Sequence, residues 1–250
     1  LNNLITSHMK INEEVREFWE KEACGTNPFI TGEKENYSKS WFKEIENYRY
    51  KVEPFIHSVA QFSKHKGKKV LEIGVGAGTD HLNWAKSEVE LYGVDLTDRA
   101  IETTRKHLSL YGFESNLQRT DAEALPFEEN FFDLVYSWGV IHHSPDTVKA
   151  LNEIVRVAKP GGEIKLMIYH RYSITAFVVW CRNCLIKGKF WKSISYAIAN
   201  YVESPGTKAY TKAEAIELFS SLPVKMVKVK TVLTWCDLAK NNRSKFVRLF

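Results

Sequence analysis

"VLEIGVGAGTD", Val70 to Asp80, is an apolar run that ends in glycines at alternate positions, Gly74, Gly76 and Gly78, and then enters a helical pattern. A strand feeding a helix through such a turn lets backbone approach a ligand at the carboxyl edge of a sheet, because no side chain intervenes. A dinucleotide fingerprint reads G-x-G-x-x-G, and counted from Gly74 its third glycine falls where this chain has Thr79. Asp80 follows in the first helical turn, where an unpaired carboxylate repels a pyrophosphate. The spacing therefore favours a nucleotide without phosphates, with an NAD(P)-binding oxidoreductase as the alternative.

Outward from this turn, short apolar runs alternate with helical patterns, the signature of a parallel sheet covered by helices. The strands read as "KKVLEI" (Lys68 to Ile73), "VELYGV" (Val89 to Val94), "SNLQRT" (Ser115 to Thr120), "FFDLVYS" (Phe131 to Ser137) and "GEIKLMIY" (Gly162 to Tyr169). Between the second and third, Ile101, Thr104, Leu108 and Tyr111 recur at helical spacing behind a Thr97–Asp98 cap. Before the fifth, Val148, Leu151, Ile154, Val155 and Ala158 form another helical face, which "KPGG" turns. Asp95 ends the second strand 21 residues after Gly74, where an acid can accept from both hydroxyls of a ribose. After the fifth strand, "TKAEAIELFSSL" and "VKMVKVKTVLTW" read as helix then strand.

A chain of 250 residues, 44% hydrophobic, can bury a full α/β core. Its net charge of +5 owes much to Lys240, Arg243, Lys245 and Arg248, a tail and not a nucleic-acid groove. Cys181 and Cys184 form a C-x-x-C with no second pair, so the sequence predicts no metal site, and the scattered thiols suit a reducing, cytoplasmic setting. No run reaches the roughly 18 to 20 apolar residues of a membrane span. Ser-His-Met before the native start expected at Met9 reads as a cloning scar, residues 1–8. The organisation expected is an N-terminal helical lid over 9–66, a domain over 67–239 with a helical insert at about 171–205, and a basic segment at 240–250.

In order, "VLEIGVGAGTD", "YGVDLT", "TDAEALPFEENFFDLVYSWGVIHHSPD" and "ALNEIVRVAKPGGEIKLMIYH" resemble the motifs of class I S-adenosylmethionine-dependent methyltransferases, closest to the type 11 or UbiE-like group. The resemblance covers Lys68 to His170 strongly and Tyr210 to Trp235 weakly. It implies a Rossmann-like fold with a mostly parallel seven-stranded sheet, and S-adenosyl-L-methionine as cofactor. It further implies that Glu72 faces the methionine ammonium or orders water beside it, and that Gly74, Gly76 and Gly78 admit the cofactor's amino-acid portion. By the same resemblance, Asp95 would take the ribose hydroxyls, Leu96 would pack on adenine, Asp121 and Ala122 would read the adenine edge, and Ser137 and Trp138 would lie along the methionine moiety.

Methyl transfer from a sulfonium needs alignment and exclusion of water more than acid–base apparatus. Where the O, N or C nucleophile must lose a proton, the candidates are His142, His143 and His170. Tyr48 and Tyr50 in the lid, and Tyr169, Arg171 and Trp180 at the insert, are the substrate-side candidates. The insert interleaves Phe177, Trp180, Phe190, Trp191, Ile194 and Tyr201 with Arg182, Lys187, Lys189 and Lys192, which suits an apolar or anionic small molecule, a membrane surface or a second copy of the chain. A fold that holds cofactor without chemistry, as a partner subunit, is the non-enzymatic alternative.

Overall fold

The structure, a computed structural model, describes residues 2–234, with side chains from His8 onward. Leu1, Trp235, Cys236 and the basic segment expected at 240–250 lie outside the described residues. Helices α1 (Asn2–Lys21), α2 (Pro28–Thr31), α3 (Lys39–Val52) and α4 (Ile56–Ala60) precede the sheet. Strands β1 (Lys69–Ile73), β2 (Glu90–Asp95), β3 (Asn116–Arg119), β4 (Phe132–Trp138) and β5 (Ala158–Met167) follow the runs read from sequence. They are joined by α5 (Thr79–Lys86) after β1, α6 (Asp98–Ser109) after β2 and α7 (Thr147–Val157) after β4. Beyond β5 come α8 (Ile174–Trp180), α9 (Ile194–Tyr201) and α10 (Lys212–Ser220).

All strand pairs are parallel and the order is β3-β2-β1-β4-β5. The chain leaves β1 to one side and returns on the other, so the carboxyl ends of β1 and β4 flank a topological switch point. Period-two alternation splits β1 between two cores: Leu71 and Ile73 pack with Leu151, Ile154 and Val157 of α7, whereas Val70 packs with Leu82, Trp84 and Leu108 on the opposite face. Glu72 shares the face of Val70 and so points toward α5. The cap expected for α6 forms, Thr97 Oγ1 accepting from the Ala100 N–H at 3.3 Å.

Two expectations need correction. "KPGG" does not separate α7 from β5 as a plain turn; it lies within the strand, and the pairing shifts from Phe132↔Ala158 to Leu134↔Glu163 across a bulge. Five strands, not seven, form the sheet among the described residues, and Val224 to Thr234 runs without regular structure. Its Val–Lys alternation meets the local condition for a strand but supplies no neighbour to pair with, and Val227 is 89% exposed.

The insert is helical, as read. Helices α8 and α9 and the π-turn Cys181–Leu185 enclose small cores of their own, built on Ala176 with Ile198 and on Val179 with Cys184 and Ala197. No helix among the described residues is long and apolar enough to cross a membrane.

Candidate cofactor site

A cavity of about 280 Å³ opens where β1, β2 and β4 end. Glu72, Gly74, Gly76, Asp95, Leu96, Asp121, Ala122 and Trp138 line it, all singled out from sequence; Gly78 and Ser137 do not. Its opposite wall is N-terminal: Asn12, Val15 and Trp19 from α1, Cys24 and Gly25, and Tyr48, Arg49 and Glu53. The segment is fastened over the strand ends by specific contacts. Asn12 Nδ2 donates to Asp121 Oδ2, and the Glu20 carboxylate accepts from the N–H groups of Asp98 and Arg99 at 3.1 and 3.0 Å, where the N-terminus of α6 favours an anion.

The three glycines serve different ends. Gly74 has φ +81°, and a Cβ there would lie 2.1 Å from Val140 Cγ2, so the turn closes against the loop after β4 only if the position is bare. Gly76 borders the cavity and its N–H donates to Asp95 Oδ2 at 3.2 Å. Gly78 is a packing position: at φ +73° its bare Cα admits Thr104 of α6, whose atoms would stand 3.0–3.1 Å from a Cβ. Ser137 is buried in β4 opposite Ile73, its hydroxyl without a partner.

Asp95 is preorganised by its own turn. Besides Gly76 it accepts from the Thr97 N–H at 3.0 Å and hydroxyl at 2.8 Å, while burial pushes its carboxyl up against those bonds. Glu72 finds its partner in α5, with His81 Nδ1 2.9 Å from Oε2. The Ser115 hydroxyl donates to the Leu91 carbonyl at 3.0 Å, so His81 Nε2–H donates to Ser115 Oγ at 2.8 Å, and Nδ1 is left to accept. That assignment puts the proton on Glu72. It agrees with burial raising Glu72 well above the carboxylate range, the Asp80 charge adding to it, and with burial pushing His81 down to about 3.

Asp80 is not the bare charge supposed from sequence. Arg49 of α3 grips both its oxygens, Nε at 3.1 Å and Nη2 at 2.5 Å, and the hydroxyls of Tyr50 and Tyr136 donate at 2.9 and 2.8 Å. Burial opposes ionisation of Asp80, but Arg49 and the two hydroxyls outweigh it and hold the carboxyl below its ordinary value. Arg49 thus neutralises the repulsion expected at this helix end, and the missing third glycine remains as the mark against a pyrophosphate seat. Trp138 turns its indole N–H to Glu53, 3.2 Å from either oxygen.

Of the histidine candidates, only His143 lines the cavity. His142 lies behind it, buried, its ring 4.3 Å from that of His143 and 4.0 Å from that of Tyr169. His170 leaves β5 to bridge Tyr210 by backbone, away from the cavity. Tyr48 faces the cavity, but Tyr50 is spent on Asp80 and accepts from Asn83 at 2.5 Å. Arg171 anchors the insert instead, donating to Glu214 at 2.7 Å and to the Ala209 carbonyl at 3.2 and 3.3 Å. Trp180 donates to the Lys192 carbonyl at 2.6 Å inside the insert, none of whose residues from 174 to 201 lines the cavity. Sequence reading missed Asn12, Glu53 and Glu203, for which no motif signals a role.

Residues 71–166 match the family model described as a methyltransferase domain. The chain is 34% identical to a ubiquinone biosynthesis O-methyltransferase of Nitrosospira multiformis over 38% of its own length and 41% of that protein. It is 36% identical to a phthiotriol/phenolphthiotriol dimycocerosates methyltransferase of Mycobacterium leprae over 43% of its length and 40% of that protein. It thus spans about two fifths of these curated relatives. A crystal structure of a SAM-dependent methyltransferase from Aquifex aeolicus superposes with a TM-score of 0.55 at 17% identity, over 80% of this chain and 94% of that one, a likeness of fold. Gly74, Gly76, Asp95 and Asp121, gathered at one switch point, all fall within the stretch that is similar to a methyltransferase domain.

Proposed function

We propose that this chain moves a methyl group from S-adenosylmethionine to an O, N or C nucleophile of a small molecule. The observation that carries the reading is the convergence of Glu72, Gly74, Gly76, Asp95, Leu96, Asp121, Ala122 and Trp138 on one cavity. The residues fit the cofactor chemically: a bare turn for its amino-acid end, a preorganised carboxylate for ribose hydroxyls, and Asp121 at the edge where an adenine amine would donate. The cofactor supplies an electrophilic methyl on a sulfonium. The protein binds, aligns and excludes water, with Trp138 and the N-terminal segment as the walls that do so. The similarity to a ubiquinone biosynthesis O-methyltransferase favours oxygen as the accepting atom. Calorimetry with S-adenosylhomocysteine tests the reading: binding is expected, no binding at near-millimolar ligand by folded protein overturns it, and binding of NAD in its place supports the oxidoreductase.

A second reading concerns the insert, because it faces away from the cavity. Residues 164–202 contain no acid, and Phe177, Leu185, Ile186, Phe190 and Trp191 stand exposed beside Lys187, Lys189 and Lys192. Apolar and aromatic tips among cations suit the interface of an anionic membrane, each cation adding about 1 kcal/mol. Sedimentation with phosphatidylserine vesicles is expected to pull the protein down at low salt, and to fail when the three lysines are replaced by glutamine. Equal sedimentation of parent and variant removes the membrane reading.

A further inference from the structure

Next to the cofactor cavity lies a group of donors that the cofactor reading does not use. His142 and His143 follow β4, and Glu203 lies 60 residues further on, past the insert. One ligand atom from each lies within 4.8 Å of the other two. Both ring nitrogens of His142 and Nε2 of His143 are buried without a hydrogen-bond partner, a costly state for groups enclosed in protein.

The contact between His143 and Glu203 is informative in its geometry. Nε2 stands 3.2 Å from Oε2, within reach of a hydrogen bond, yet the pair makes none because the in-plane direction of Nε2 misses the oxygen. Two ligands of one cation look like this. With bonds of about 2.1 Å to nitrogen and oxygen, a separation of 3.2 Å subtends an angle of about 100° at the metal, and the imidazole lone pair points at the metal and not at the oxygen.

The surroundings complete such a site. His143 Nδ1 meets the Ser204 hydroxyl at 2.8 Å and that of Thr207 at 3.1 Å; an Nδ1–H donating there leaves the lone pair on Nε2. Glu203 is oriented by the Tyr169 hydroxyl, 2.9 and 3.1 Å from its oxygens. It holds a left-handed backbone conformation, φ +54°, which a non-glycine residue adopts at a cost.

We propose that His142, His143 and Glu203 bind a divalent cation of the borderline class that takes imidazole and carboxylate ligands, such as zinc or iron(II), with Tyr169 and Ser204 as outer partners. Donors that all lie within 4.8 Å need to close by at most about 1.4 Å to reach the spacing of a four-coordinate site, and the His142 ring has no hydrogen bonds to lose in doing so. Of the three ligands His143 also lines the cavity, together with Trp138, so the site adjoins it. The cation would hold a polar atom of the methyl acceptor there; that consequence rests on the methyltransferase reading, whereas the cation does not.

The test is titration of the chelator-treated full chain with cobalt(II), followed by visible absorption and by displacement with zinc. One equivalent is expected to bind with a d–d band. Glu203→Gln and His142→Ala should each lower cobalt affinity at least tenfold, while S-adenosylhomocysteine affinity in Glu203→Gln stays within twofold of the parent. If His142→Ala does not fold, Glu203→Gln and Tyr169→Phe carry the comparison. Cobalt affinity equal in parent and Glu203→Gln, or no stoichiometric binding by the parent, overturns the site. Failure of the parent to bind S-adenosylhomocysteine would overturn the cofactor reading alone.

Discussion

At the scale of single residues, Asp95 and Gly74 make the sharpest claims. Asp95→Ala is expected to weaken S-adenosylhomocysteine binding by roughly 1.5–3 kcal/mol, because charge-assisted bonds to the ribose hydroxyls are lost. Calorimetry on folded variant and parent checks it, and equal affinity means the nucleotide lies elsewhere. Asp121→Ala should cost less, since it would accept from a single adenine amine where Asp95 would accept from two hydroxyls. Gly74→Ala should destabilise by about 1–3 kcal/mol, as a Cβ is forced against Val140 at a positive φ. Val140→Ala in the same chain should restore part of the loss. Denaturant melts that show Gly74→Ala as stable as the parent would contradict the close approach.

At the scale of elements, the Arg49–Asp80 pair ties α3 to α5 and, through Tyr136, to β4. Asp80 is 1% exposed and Arg49 24%, so Arg49→Met leaves a carboxylate enclosed without its cation, at an expected cost of about 3–5 kcal/mol at pH 7. The sign of the pH dependence follows. In the parent, Asp80 is depressed and contributes stability above the unfolded carboxyl value of about 3.9, lost as pH falls through the folded value. In the variant, burial raises it, so acidification relieves the penalty and the gap between the two proteins should narrow from pH 7 to pH 5. A constant gap in urea melts would assign the loss to something other than Asp80. The sheet elements were legible because each is a local pattern, "VLEIGVGAGTD" above all. "VKMVKVKTVLTW" shows the limit, for alternation writes a strand's two faces but not its neighbour.

At the scale of the whole molecule, the N-terminal segment is tied to the sheet domain through a buried neutral histidine. His107 of α6 stacks on Phe42 of α3 at 3.9 Å and Nδ1–H donates to the Ala77 carbonyl at 3.0 Å. Burial pushes it down to about 4, while the unfolded chain takes up its proton near 6.5. Its contribution is therefore whole above pH 6.5 and falls on acidification, by up to about 1.4 kcal/mol per pH unit down to about pH 4. Glu53, Glu72 and Asp95, all raised by burial, pull the opposite way, so the single-site difference is the clean measurement. His107→Asn keeps a donor toward Ala77 without the titration. The stability difference from the parent should shrink by about 1 kcal/mol between pH 6.5 and 5.5, and a difference independent of pH would show that His107 is not held neutral.

The sequence by itself determined the strand–glycine-turn–helix unit, the acid ending β2, the acid of the loop after β3 and the parallel alternation, because strand and helix periodicities and the φ demands of glycine act within a few residues. Tertiary structure decided which residues share space. It placed Gly78 against Thr104 instead of the cavity, paired Glu72 with His81 and Asp80 with Arg49, and turned the insert outward. It also brought Glu203 to His143 from 60 residues away. Such meetings depend on strand order and on helix packing across the sheet, and no local pattern of side chains encodes them.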